Sequence, residues 1–274
     1  MSAAARQMVD RCLAASAPLF CEAGELDRWL TLAAGQIVSF YSTDRAASAG
    51  VPVPVGAWAA VVEQGVQTFA EPGRVLGVSI SGYAGFSPEQ TVDIAATAAV
   101  AAVRGRTRAS TSDAACAIAT SASTTAQPAD EAVRATTPLG AFIRAVSIVP
   151  APRATRFVIW QIDGRAGQWV PSQQDTVAAE LLGSCLARAY ALTHIRRERH
   201  RASLIAAVSV SQAPLLPLLA EGMSQRQISE RTGRSMHTVH DHVKGIYGAL
   251  GIRSRHQLYV LWNGGDPTRV SSED

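Results

Sequence analysis

Ser235-Met236-His237-Thr238-Val239-His240-Asp241-His242-Val243-Lys244 is the stretch on which the reading of this 274-residue chain turns. Val239, Val243, Ile246 and Leu250 follow one another at spacings of four, three and four, so they line one side of a helix. His237, His240, Asp241, Lys244 and Gly248 fall on the opposite side. Ser235 is a natural cap in front of that helix, and Gly251 can take the left-handed conformation that ends it.

The residues on either side are punctuated in the same way. Gly222 ends one short helix and Gly233 the next. Ser224-Gln225-Arg226-Gln227 has the pattern of a capping box, and Ser254-Arg255-His256-Gln257 repeats it. The spacing predicts four helices in about fifty-five residues, joined by turns of two to four residues, which is a compact helix-turn-helix unit. Pro214 and Pro217 constrain its first helix. Two prolines three apart fit only within the first turn, whose N–H groups have no internal partners, so a shortened or bent first helix, over Leu215–Glu221, is expected. Gly245 and Gly248 each cost about 1 kcal/mol relative to Ala inside a helix. Bare backbone close to phosphate or a partner would justify them. An exposed face of His, Lys and small residues, presented after a tight Gly turn, suits a DNA major groove.

Composition narrows the class. Hydrophobic residues make up 47% of the chain, enough for a sizeable core, and the formal net charge of +3 permits an anionic partner without demanding one. Cys12, Cys21, Cys116 and Cys185 are far apart and form no C-x-x-C pair, so buried free thiols in a reducing compartment are expected. The N-terminus lacks the pattern of a secretory signal. The longest apolar run, Ile94–Val103, is about half of what a bilayer crossing needs. A soluble, cytoplasmic protein is the expectation. His237 and His240 with Asp241 supply too few ligands on one face for a metal site, and no metal or cofactor is expected. Asp163 follows an apolar strand as a phosphoacceptor would, but Lys244 is the chain's only lysine and a receiver needs one beside its aspartate. No G-x-S-x-G, no G-x-x-x-x-G-K and no nucleophile–histidine arrangement stands out, so no enzymatic role is expected.

The first two hundred residues mix helix and strand signals. Residues 3–20 and 25–41 carry helical spacing, Val51-Pro52-Val53-Pro54-Val55-Gly56 breaks it, and Val75–Ile80 reads as a strand. Ser87-Pro88-Glu89-Gln90 opens an alanine-rich helix running to about Arg104. Residues 105–137, rich in Ala, Ser, Thr and Arg, read as a surface loop. Ala145–Val149 and Phe157–Ile162 read as paired strands, followed by a helix from about Gln173 to Thr193. The charged run His194–Arg201 continues that helix, either as a solvated face or as one that grazes phosphates or a second protomer.

Two resemblances can be placed on these residues. Phe86-Ser87-Pro88-Glu89-Gln90 and Trp169-Val170-Pro171-Ser172-Gln173 each follow a strand and glycines and each open a long helix, which is similar to the end of GAF-type ligand-sensing domains. A simpler reading makes each aromatic a core plug under its helix. The second resemblance rests on Leu218-Leu219-Ala220-Glu221-Gly222-Met223-Ser224, Ile228-Ser229-Glu230-Arg231, Thr238-Val239, Ile246-Tyr247 and Leu250-Gly251-Ile252-Arg253-Ser254-Arg255. These resemble the LuxR-type (GerE-like) DNA-binding domain of bacterial transcription regulators over roughly 208–262. Gln212 departs from the pattern, which usually has an acidic residue there.

The resemblances imply an α+β sensor-like domain over 1–195, GAF-like with an antiparallel sheet and either single or a degenerate tandem. A basic helical connector over 196–207, an all-α helix-turn-helix domain over 208–265 and a tail over 266–274 would follow. They imply that His240, Asp241 and Lys244 read base edges, that His237, Thr238 and His242 touch phosphate or support the helix, and that Arg226, Arg253 and Arg255 join the DNA-binding surface. The expected partners are double-stranded DNA and a second copy of the chain, held through Leu258, Tyr259, Leu261 and Trp262 of the fourth helix, together with a contact to RNA polymerase. The implied function is that of a LuxR-type transcription regulator whose first domain responds to a ligand or a protein. The alternative is a sensing or interaction module whose helix-turn-helix no longer binds DNA, as Asp241 and the two prolines would suggest.

Overall fold

The computed structural model describes residues 3–21, 25–46, 56–65, 73–83, 87–109, 116–121, 142–151, 154–164 and 172–269. The chain divides into two compact units, Met1–His194 and Ile195–Asp274.

In the first unit α1 (Ala3–Cys21) and α2 (Leu26–Ala46) precede β1 (Gly56–Gly65) and β2 (Arg74–Ser81). Next come α3 (Pro88–Ala109), β3 (Cys116–Ser121), β4 (Phe142–Pro150), β5 (Ala154–Asp163) and α4 (Gln173–Tyr190). The five described strands form one antiparallel sheet in the order β2-β1-β5-β4-β3. Strands from both halves of the unit therefore share a single sheet, with β1 beside β5 from Gly56↔Asp163 to Gly65↔Ala154.

Alternation along the strands sends neighbouring side chains to opposite faces. Trp58, Ala60, Val62, Val146, Phe157 and Ile159 pack with Ala95, Ala98, Ala99 and Val103 of α3. The other face carries Trp160 against Tyr41 of α2, and Ser147, whose hydroxyl donates to the Gly183 carbonyl of α4 at 3.2 Å. Gly77 of β2 is a glycine for a packing reason, because a Cβ there would come 2.9 Å from a Leu30 methyl of α2. α1 packs on α2 and α4. Its Cys12 is buried, and burial pushes that thiol's pKa up to about 12, so it is an inert core residue.

β1 has no counterpart in the sequence reading, and β3 lies inside the stretch read as loop. α3 also continues past Arg104 to Ala109. The expected strands at 75–80, 145–149 and 157–162 are present as β2, β4 and β5. Ser172 caps α4 by accepting from the Asp175 N–H at 3.2 Å, while Asp175 accepts from the Ser172 N–H at 2.9 Å. Phe86, Trp169 and residues 51–55 lie outside the described residues.

One end of the α3-side face is polar although it is buried. Arg144 lies directly across from Gln161 on the neighbouring strand and donates to its side-chain oxygen at 2.7 Å. Gln161 donates onward to Asp163 at 2.6 Å, and Tyr83 donates to the other Asp163 oxygen. The rings of Phe142 and Trp58 flank the Arg144 guanidinium at 4.9 and 5.7 Å. Asp163 is 3% exposed, and burial pushes its pKa up to about 6 against the opposing pull of Tyr83, Gln161 and Arg144. An aspartate enclosed in this way is not a surface phosphoacceptor.

Candidate nucleic-acid interface

α4 ends in a π-helical turn, Ala191–Ile195, and α5 (Arg196–Ala206) follows it. The second unit then adds α6 (Leu215–Ala220), α7 (Gln225–Thr232), α8 (Met236–Leu250) and α9 (Arg255–Trp262). Its core joins Leu204 and Val208 to Leu215, Leu216, Leu219, Ile228, Val239, Val243, Ile246, Ile252, Leu258 and Trp262. The ridge read from the sequence is thus inside, with Leu250 partly buried against the same core.

α6 is short, for the reason the prolines give. Pro214 is its N-cap residue and Pro217 falls in its first turn, where a missing N–H costs no internal bond. The chain before it is turned, with the Gln212 and Ala213 N–H groups both donating to the Ser209 carbonyl at 2.9 Å. Gln212 supports that turn by accepting from the Ser209 N–H at 3.1 Å. Its amide also lies where a Gly245 Cβ would be, so Gly245 is bare to admit Gln212 rather than a phosphate or a partner. Gly248 has open space around it.

The helix-turn-helix itself is built from caps. Ser224 accepts from the Gln227 N–H at 3.2 Å while Gln227 accepts from the Ser224 N–H at 2.8 Å, which is the full capping box on α7. Gly233 ends α7 at φ +67°. Ser229 donates to the Arg234 carbonyl at 2.6 Å and pins the turn, and Ser235 caps α8 by accepting from the Thr238 N–H at 3.1 Å. Gly251 ends α8 at φ +65°. The box expected on α9 is half formed: Ser254 accepts from the Gln257 N–H, but the Gln257 side chain takes the Arg253 N–H at 2.7 Å.

On α8 the side chains of His237, Thr238, His240, Asp241 and Lys244 are exposed and His242 is half-buried. His237 Nε2 stands 3.5 Å from Asp241 Oδ2, one turn away on the same helix. His240 turns to the other helix instead, with Nδ1 3.3 Å from Gln225 Oε1 at the start of α7. Gln225 was not among the residues singled out in the sequence, because no local spacing connects it to His240. Arg226 is exposed and paired with Glu230 at 3.0 Å, one turn on. Arg253 is exposed at the start of the α8–α9 joint. Among the described residues no group of three His, Cys, Asp or Glu could hold a metal ion.

Three groups of residues named from the sequence have partners inside the helical unit. Arg255 is exposed, and one of its guanidinium nitrogens donates to the carbonyls of Met223 and of Leu219, at 3.4 Å for the latter. Leu258 and Trp262, expected in a contact between copies, are 0% and 7% exposed in the unit's own core. Tyr259, at 58%, is the exposed member of that set. The charged run is not simply a solvated or phosphate-grazing face either. His200 Nε2 donates to the Leu261 carbonyl at 2.7 Å, and Arg201 donates to the Trp262 carbonyl at 3.3 Å with its guanidinium 5.0 Å from the Trp262 ring. These two side chains supply donors to carbonyls at the C-terminal end of α9, where the helix dipole favours the charge of Arg201.

No curated protein matches the chain. Solved structures similar to it include Escherichia coli SdiA, at 16% identity over 90% of this chain and 94% of that one, with a TM-score of 0.35. A structure of SdiA in complex with octanoyl-rac-glycerol is similar at 15% identity over 95% of each chain, with a TM-score of 0.37. Residues 211–262 match the family described as "Bacterial regulatory proteins, luxR family". The matched span runs from just before α6 to the last residue of α9 and takes in the whole of the capped helix pair. Residues 211–262 are therefore a LuxR-type helix-turn-helix domain.

Proposed function

We propose that the chain is a sequence-specific DNA-binding transcription regulator acting in the cytoplasm, whose α+β unit, read as GAF-like, modulates the helical unit through a ligand or protein contact. The observation that supports DNA binding most directly is α8 within a domain matched to the luxR family. It hides Val239, Val243 and Ile246 and holds His237, His240, Asp241 and Lys244 outward. Lys244 can donate to guanine O6 or N7, and Asp241 can accept from cytosine N4. Asp241 also repels phosphate, and His237 Nε2 stands 3.5 Å from its carboxylate. Over 208–265, Arg226, Arg231, Arg234, Lys244, Arg253 and Arg255 outnumber Glu221, Glu230 and Asp241, which favours an anionic partner.

The alternative, a helix-turn-helix that has lost DNA, drew on the prolines and on Asp241. Both prolines lie at the start of α6, where a missing N–H costs no internal bond. The test is a salt-titrated binding assay on genomic fragments. Affinity is expected to fall steeply with salt, and Lys244→Ala to weaken specific binding by about 1–3 kcal/mol. Tight binding untouched by that substitution would overturn the assignment of α8 as the reading helix.

A further inference from the structure

The two exposed imidazoles of α8 are held differently. His237 faces a carboxylate of its own helix, whereas His240 faces a neutral amide oxygen of the preceding one. That oxygen, Gln225 Oε1, has no proton to give, so the hydrogen in the 3.3 Å contact belongs to His240 Nδ1. In a neutral ring a proton on Nδ1 leaves Nε2 as an acceptor. Gln225 is well placed to impose this. Its backbone is fixed as the first residue of a helix with a complete capping box, while the neighbouring Gln227 and Arg226 side chains are engaged with Ser224 and Glu230.

We propose that Gln225 is a positioning residue that fixes the tautomer of His240, making His240 a reader of hydrogen-bond donors in the major groove. The base it faces is then adenine or cytosine, which offer amino groups at N6 and N4, and not guanine, whose N7 and O6 only accept. This rests on the DNA-binding reading above and adds to it a stated base class at one position of the half-site.

Selection of bound sequences from random DNA tests it, with the full chain at about pH 8. The wild type is expected to enrich adenine or cytosine at one half-site position, and His240→Ala to level that position alone. Gln225→Met keeps the length of the side chain and removes the acceptor. The ring can then take either tautomer, and discrimination against guanine at that position should fall roughly five- to tenfold, with the other positions and the salt slope unmoved. Gln225→Glu places a charge that favours the doubly protonated ring, and should shift the same position towards guanine. A Gln225→Met profile identical to the wild type, or a wild-type preference for guanine where His240→Ala acts, would overturn the inference while leaving DNA binding intact. A wild-type chain that selects no sequence would instead sink the regulator reading, and this inference with it.

Discussion

Gly245 and Gly248 stand nearly one turn apart in α8 and differ in what surrounds them. A methyl at Gly248 meets nothing within 4 Å, so Gly248→Ala should gain helix propensity without a clash and stabilise the helical unit by about 1 kcal/mol. At Gly245 the same gain is offset, because the methyl would displace Gln212 and break its bond to the Ser209 N–H. Gly245→Ala should be neutral or destabilising by up to about 1 kcal/mol. Urea unfolding of the two variants side by side decides this; equal stabilisation would mean that Gln212 does not lie over the helix. In the other unit Asp163 makes a signed pH prediction. Its folded pKa, about 6, lies above the ordinary value of 3.8, so the fold favours the neutral carboxyl. The associated stability is fully present below about 3.8 and is lost as pH rises through about 6. Asp163→Asn mimics the neutral form. The stability difference between variant and wild type should therefore shrink on going from pH 7 to pH 4, read from urea midpoints.

At the scale of elements, two helices are tied down by side chains expected to serve other purposes. Arg255→Ala removes the bonds to the Leu219 and Met223 carbonyls, and His200→Ala removes the bond to Leu261 at the end of α9. Each should cost about 1–3 kcal/mol of stability in the helical unit. Under conditions where the variants stay folded, the salt slope of DNA binding should be the same as for the wild type. A slope reduced by about one for Arg255→Ala would restore that residue to the phosphate contacts. The same contrast explains how much could be read in advance. Ser224, Gly233, Ser235 and Gly251 fix helix ends through bonds or φ angles within a few residues, so their signals lie in the local sequence. The bonds of His200 and Arg255 span 61 and 32 residues, and no spacing rule connects such partners. β1 was hidden for a different reason. Ala57-Trp58-Ala59-Ala60-Val61-Val62 is buried on both faces, between α2 and α3, so it has no polar alternation to betray a strand. The tautomer-setting pair Gln225 and His240 belongs with the long-range bonds: His240 was legible as a residue of the outer face of α8, but its meeting with Gln225 was not.

For the molecule as a whole, the question is how a 15-residue helix in a modestly basic domain achieves specificity. One copy contributes six cations against three anions over 208–265, which suits phosphate contacts at one half-site but not the affinity of a regulator by itself. Two copies on an inverted repeat would double the reading surface, with half-site centres about 10 base pairs apart. The contact between copies that α9 can offer is small, because Leu258 and Trp262 are committed to the core and Tyr259 is the large exposed side chain left. Cooperation between half-sites should therefore depend on Tyr259 far more than on its neighbours. Titrating the chain against DNA with one or two half-sites separates the terms. Tyr259→Glu should leave single-site affinity unchanged and lower cooperativity by about 1–2 kcal/mol, the usual worth of an aromatic anchor. If cooperativity survives that change in full, α9 is not where the copies meet, and the α+β unit must bring them together.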